Sequence, residues 1–97
     1  MIGIDITNIS RFSDDKDRFA EKILTADELA EYEKSHSKLN YLAGRWAAKE
    51  AIFKACGLID VSVLSEDSGR PYIKDHEEIN ISISHDTEYA IAVAIKI

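Results

Sequence analysis

Apolar residues recur at helical spacing through Lys38–Cys56, and one position in that repeat holds an acid. Successive residues turn about 100° around a helix axis. Leu39, Leu42, Ala43, Trp46 and Phe53 therefore gather into one stripe, with Glu50 at its centre. An ionised carboxylate on a core-facing stripe is costly unless a cation or a metal compensates it. Lys49 and Lys54 flank Glu50, and Lys54 stands at the i+4 spacing that suits a helical ion pair. A second acid, Asp5, lies in the N-terminal Gly3-Ile4-Asp5-Ile6. Two readings are open. Asp5 sits exposed at a strand end while Glu50 pairs with Lys49, Lys54 or an arginine; or both acids converge on a hard divalent cation, which takes oxygen ligands and keeps positions for phosphate oxygens.

The other elements follow from local pattern. Ile2, Ile4 and Ile6 alternate with Gly3, Asp5 and Thr7, the signature of a half-buried strand with Asp5 on the face opposite the isoleucines. Residues 8–22 lean helical, anchored by Ile9, Phe12 and Phe19. Thr25-Ala26-Asp27-Glu28 is a capping box, with Leu24 and Leu29 placed as its hydrophobic staple. It predicts a short helix over Ala26–Lys34 that ends at Ser35-His36-Ser37. The longer helix runs over Lys38–Cys56, with Gly57 placed as a left-handed C-terminal cap. Ser68-Gly69-Arg70-Pro71 reads as a turn between strand-leaning 61–64 and Tyr72-Ile73. In the last third, Ile79, Ile81 and Ile83 alternate with Asn80, Ser82 and Ser84. After a turn at residues 85–88, Tyr89, Ile91, Val93 and Ile95 alternate with Ala90, Ala92 and Ala94. The alanine row admits a helix at close range, so both faces of this strand read as covered. The fold class is α+β: a small, mainly antiparallel sheet with the long helix packed across it.

Ninety-seven residues make one domain spanning 1–97 with no room for a second core. The net charge of −6 argues against nucleic acid and against acidic membranes as partners. A single cysteine, Cys56, forms no intrachain disulfide, and no apolar run reaches the roughly 20 residues of a membrane span. The acid at position 5 stands where a signal peptide carries basic residues, so the expectation is a soluble cytoplasmic protein.

Three further segments could carry chemistry. Ser82-Ile83-Ser84-His85 brings hydroxyls and an imidazole to a strand end, suited to donating toward phosphate oxygens. Ser68-Gly69-Arg70-Pro71-Tyr72 is a hairpin turn whose Gly69 permits close backbone approach and whose Arg70 suits an anionic nucleotide. Arg11, Lys16, Arg18 and Lys22 form a local basic segment interleaved with acids.

Taken in order, these segments resemble the holo-acyl-carrier-protein synthases of the 4′-phosphopantetheinyl transferase superfamily. The matching residues are Gly3-Ile4-Asp5-Ile6; Arg18 to Thr25 with Glu28-Leu29; Leu42 to Ala51 with Lys54-Ala55; Gly69 to Tyr72; and Ile81 to His85 with Tyr89-Ala90. The resemblance implies transfer of phosphopantetheine from coenzyme A to a serine of an acyl carrier protein for fatty acid synthesis, with adenosine 3′,5′-bisphosphate released. It further implies Mg²⁺ held by Asp5 and Glu50, pyrophosphate neutralised by Lys54, and Glu50 as a candidate to deprotonate the serine directly or through water. Arg45, Ser84 and His85 would hold the nucleotide end, with Gly69, Arg70 and Pro71 on the adenine side. Arg11, Lys16, Arg18 and Lys22 would dock the acidic carrier. The type implies a homotrimer with sites between subunits. One departure stands out: Gly57 leads almost directly into Leu58-Ile59-Asp60-Val61-Ser62, a shorter connection than is usual for the type. A non-catalytic interaction domain and a metal-dependent nucleotide phosphohydrolase are the competing functions.

Overall fold

The computed structural model describes residues Met1–Ile97. In chain order the elements are β1 (Ile2–Asn8), a 3₁₀ turn (Ile9–Phe12), α1 (Lys16–Ile23), α2 (Ala26–Lys34), α3 (Lys38–Cys56), β2 (Val63–Ser65), β3 (Pro71–Ile73), β4 (Ile79–His85) and β5 (Tyr89–Lys96). β1, β5 and β4 form an antiparallel sheet in that order, and β2 and β3 form a separate antiparallel hairpin. The α+β reading holds, with α3 lying across the three-stranded sheet.

Local signals placed the helix ends well. The Thr25 hydroxyl accepts from the Glu28 N–H at 3.3 Å, and the Glu28 carboxylate accepts from the Thr25 N–H at 2.8 Å, so the capping box is complete. Gly57 adopts φ +76°, and its N–H reaches the Phe53 carbonyl to close α3. The segment expected to be helical over residues 8–22 is instead split. Asn8 ends β1, and the bend at Ser13–Asp15 separates the 3₁₀ turn from α1.

The buried side of α3 differs from the expected stripe. Ala47, Ala48, Ala51, Ile52 and Ala55 are buried against the sheet and hairpin, while Leu42 and Ala43, two members of that stripe, are buried with Ile9, Phe12, Ala20 and Tyr32; Gly44 and Arg45 are buried too. Phe53 is 53 % exposed, and Leu39 and Trp46 are only partly covered. The reason lies in β1. A Cβ on Gly3 would stand 2.0 Å from the Ala51 carbonyl oxygen and 2.7 Å from the Ala55 nitrogen, so strand and helix backbones are nearly in contact there. Small residues allow that approach, and large ones are turned to the flanks.

The strand register fixes which face meets α3. Gly3 pairs with Ala94, Asp5 with Ala92 and Thr7 with Ala90; across β5, Ile81 and Ile83 pair with Ala94 and Ala92. These form the inner face. The outer face carries Ile2, Ile4 and Ile6 on β1, paired with Ile95, Val93 and Ile91 on β5, and it is not covered within the chain. Ile4 is 55 % and Ile6 61 % exposed. The expectation that both faces of β5 are covered therefore fails for a single copy of the chain, because its one sheet-covering helix lies on the alanine side.

Candidate active site

Because β1 turns its even-numbered isoleucines outward, Asp5 lies on the inner face, beside α3. Its carboxylate accepts from the Lys54 ammonium at 3.1 Å, and the same ammonium donates to the Ile4 carbonyl at 3.1 Å. Glu50, one helical turn before Lys54, makes no hydrogen bond and no ion pair, although it is half-buried. The expected Glu50–Lys54 and Glu50–Lys49 pairings are absent. Lys54 is drawn to Asp5, and Lys49 to Glu28 at 2.8 Å.

The unpaired acid opens onto a cavity of about 580 Å³. Lys22, Trp46, Lys49 and Phe53 share its wall with residues 23–25 and with Leu58, Ile59, Asp60 and Val61. The short connection after Gly57 is thus a cavity wall, so its departure from the usual length bears directly on the site. Lys22, at the end of α1, places one member of the basic segment at the same cavity as Glu50. Arg11 is partly engaged elsewhere, over the rings of Phe12 and Trp46 at 5.4 and 5.1 Å. Arg18 is exposed, and Lys16 is partly covered.

An oxygen-lined position at Asp5 already attracts a cation, the Lys54 ammonium. The Asp5 carboxylate and the Ile4 carbonyl are oxygens of the kind a hard divalent ion takes, although Asp5 does not itself line the Glu50 cavity. No group of three or more His, Cys, Asp or Glu side chains converges, so a closed structural metal site is not built here.

Beneath the cavity lies an ionic framework that the sequence pattern did not reveal. Glu28 is 0 % exposed; besides Lys49 and the Thr25 N–H, it accepts from the Val63 N–H at 2.7 Å. Glu31, one turn on, accepts from the Ser65 N–H at 2.9 Å and pairs with Arg45 at 3.3 Å. Glu28 and Glu31 therefore stand in for a missing strand beside β2, satisfying alternate N–H groups of an edge. Arg45 is buried. Its Nε donates to the Val63 carbonyl at 2.9 Å and its Nη2 to Ser65 Oγ at 2.6 Å, while Nη1 has no protein partner. The available signal was a match of spacings: two acids three apart on α2 against two cations four apart on α3. Tyr41 belongs to the same framework, donating to Glu31 at 2.8 Å; burial, more than that bond, raises its hydroxyl above the usual tyrosine range.

Arg45 and His85 line a second, smaller cavity of about 210 Å³ with Tyr41 and Ile83. Ser84, the neighbour of His85, projects to the outer face opposite Ile91, so the two residues serve opposite sides of the sheet. Arg70 and Pro71 line a third cavity with Tyr72 and His76, and Gly69 holds φ +93° in the preceding turn. Within one chain, then, Asp5, Lys54 and Glu50 cluster about α3, while the expected nucleotide residues lie in two other places.

The family model of the 4′-phosphopantetheinyl transferase superfamily matches residues 1–94, and the chain belongs to that family. Relatives that cover nearly the whole chain include holo-[acyl-carrier-protein] synthases. The holo-[acyl-carrier-protein] synthase of Bacillus subtilis is 39 % identical, with 97 % of this chain and 92 % of that protein covered. The holo-[acyl-carrier-protein] synthase of Mycoplasmopsis pulmonis is 37 % identical, covering 100 % and 90 %. Among solved structures, the holo-(acyl-carrier-protein) synthase of Bacillus anthracis in complex with CoA (3′,5′-ADP) superposes with a TM-score of 0.83 at 37 % identity, covering 96 % of this chain and 91 % of that one. The Helicobacter pylori synthase in complex with coenzyme A gives 0.81 at 30 % identity, with both chains fully covered.

Proposed function

We propose that the cavity around Glu50 is where the chain moves the 4′-phosphopantetheine group of coenzyme A onto a serine of apo-acyl carrier protein. Adenosine 3′,5′-bisphosphate is released, and the step is Mg²⁺-dependent and serves fatty acid synthesis in the cytoplasm. The observation that carries this reading is the half-buried carboxylate of Glu50, unpaired and one turn from the Asp5–Lys54 pair.

Asp5 and Glu50 would hold the ion, which when bound would neutralise pyrophosphate charge and polarise the bond to be broken. Lys54, half-exposed beside Asp5, donates to the pyrophosphate oxygens. Glu50 takes the proton of the incoming serine hydroxyl, directly or through one water. Free of any protein hydrogen bond, its carboxylate keeps its lone pairs available. Arg45, with Nη1 uncommitted, shares the nucleotide end with His85; Ser84, on the other face of the sheet, joins that end only across a subunit contact, and Gly69, Arg70 and Pro71 line the adenine side.

The separation of these groups within one chain supports a site shared between subunits of a homotrimer. The exposed isoleucine rows on β1 and β5 are the surface available for such contact. Arg11, Lys16, Arg18 and Lys22 dock the acidic carrier, and Lys22 at the cavity brings it to Glu50.

Intact-mass measurement of an apo carrier protein after incubation with the chain, coenzyme A and Mg²⁺ tests the reading. The carrier gains one phosphopantetheine with the native chain and none with Glu50→Gln, whose melting curve stays native. Consumption of coenzyme A with no mass gain would instead mark a phosphohydrolase, and no change in either would mark a binding domain. Full activity of Glu50→Gln overturns its assigned role.

A further inference from the structure

Lys49 lines the same cavity as Glu50, its immediate neighbour, yet has no part in the transfer described so far. Its ammonium has three N–H donors. The Val61 carbonyl accepts one at 2.6 Å, the Glu28 carboxylate stands 2.8 Å from the ammonium as its ion-pair partner, and no other protein group accepts from it. The side chain is only 17 % exposed, so its remaining donor capacity lies in a largely desolvated wall. Glu28, fully buried and bonded also to the Thr25 and Val63 N–H groups, cancels the lysine's charge.

A neutralised lysine differs from a free one. It attracts an anion only weakly, because the carboxylate beside it repels what the ammonium draws, but it remains a strong hydrogen-bond donor. The surrounding wall is largely apolar, with Ile23, Leu24, Trp46, Phe53 and Leu58. An uncharged acceptor on a flexible, mostly apolar arm fits such a wall. A phosphate placed at Lys49 itself is repelled by Glu28. Coenzyme A has such acceptors in the amide carbonyls of its pantetheine arm.

We infer that Lys49 donates to an amide carbonyl of the pantetheine arm, and that Glu28 is a positioning residue that fixes Lys49 and removes its net charge. Lys49 is thereby a binding group for the arm, separate from the phosphate-directed Lys54. The inference rests on the proposal that the Glu50 cavity is the transfer site.

Calorimetric titration of two ligands with the Mg²⁺-loaded chain tests it: coenzyme A, and adenosine 3′-phosphate 5′-diphosphate, which keeps all three phosphates and lacks the arm. Lys49→Met should raise the dissociation constant for coenzyme A about tenfold, the loss of one charged hydrogen bond, and leave that for the arm-less nucleotide unchanged. Glu28→Gln should give the same split. If either single variant unfolds through an unpaired buried charge, the double variant Glu28→Gln/Lys49→Met, which removes both charges, should give it. Equal weakening of both ligands would make Lys49 a phosphate group and overturn the inference. Unchanged affinity for both in folded variants would reduce the pair to scaffolding and also overturn it. Turnover by Glu50→Gln is measured alongside, so that a cavity unrelated to transfer is told apart from a lysine with no carbonyl to bind.

Discussion

Two acids packed at the long helix have opposite surroundings, and the contrast assigns their tasks. Glu28 is sealed from solvent with three backbone or cationic donors, whereas Glu50 is half-buried with none. Removing one partner of a buried ion pair costs about 3–5 kcal/mol, so Glu28→Ala should lower the urea midpoint sharply. Lys54 is the reverse case. Its side chain is 52 % exposed, and exposed pairs contribute about 0–1 kcal/mol. Lys54→Met should therefore unfold within about 1 kcal/mol of the parent in urea while its carrier modification slows severely. A parent-like rate would remove Lys54 from the chemistry. Gly3→Ala places a methyl group against helix backbone that cannot swing aside. Overpacking of that kind costs about 1–3 kcal/mol or more, and equilibrium denaturation should show a loss at the upper end. The sequence could single out Glu50 and Asp5, because an acid in an apolar pattern is conspicuous. It could not single out Glu28, because as a capping-box residue it already had a local explanation.

At the scale of the element, α2 and α3 were legible to the residue because their ends are set by neighbours in sequence: Thr25 with Glu28, and Gly57 at φ +76°. Gly57→Ala meets no atom within 4 Å, so its only cost is the left-handed backbone, about 1 kcal/mol; thermal denaturation should shift by a few degrees and no more. The face that α3 buries was not legible, since Gly3 and the alanine row of β5 decide it from far along the chain. The β4–β5 turn carries a pH-dependent device. Asp86 accepts the Tyr89 and Glu88 N–H groups, each at 2.7 Å, and these bonds hold its carboxyl below the usual range. A depressed folded pKa contributes stability that is present above the unfolded value of about 3.9 and is lost as pH falls through the folded one. Asp86→Asn should flatten the acid limb of the stability profile and leave neutral-pH activity unchanged.

For the whole molecule, the outer sheet face and the net charge of −6 set the expectations. Ile2, Ile4, Ile6, Ile91, Val93 and Ile95 lie side by side in register, an apolar surface rather than scattered residues. Sedimentation should find a trimer, and Ile4→Lys should shift it toward monomer and depress turnover together. A parent chain that sediments as a monomer while fully active would remove the shared site. The proposed docking of an acidic carrier on this acidic chain would depend on local cations working against the global field. The Michaelis constant for the carrier should rise with salt, and Lys22→Glu should raise it further; a constant indifferent to salt would count against the basic segment.

The order of amino acids by itself determined the extents of α2 and α3, the α+β class, the family resemblance and the two conspicuous acids, since each rests on spacing or on contacts within a few residues. Only the tertiary structure decided that Asp5 faces α3, that Lys54 pairs with Asp5 and not Glu50, and that Glu28 lies beneath Lys49. Those outcomes come from the close seating of β1 on α3, which turns the small residues inward and the isoleucines out. Side-chain partners across elements are fixed by that seating, and no local periodicity encodes it.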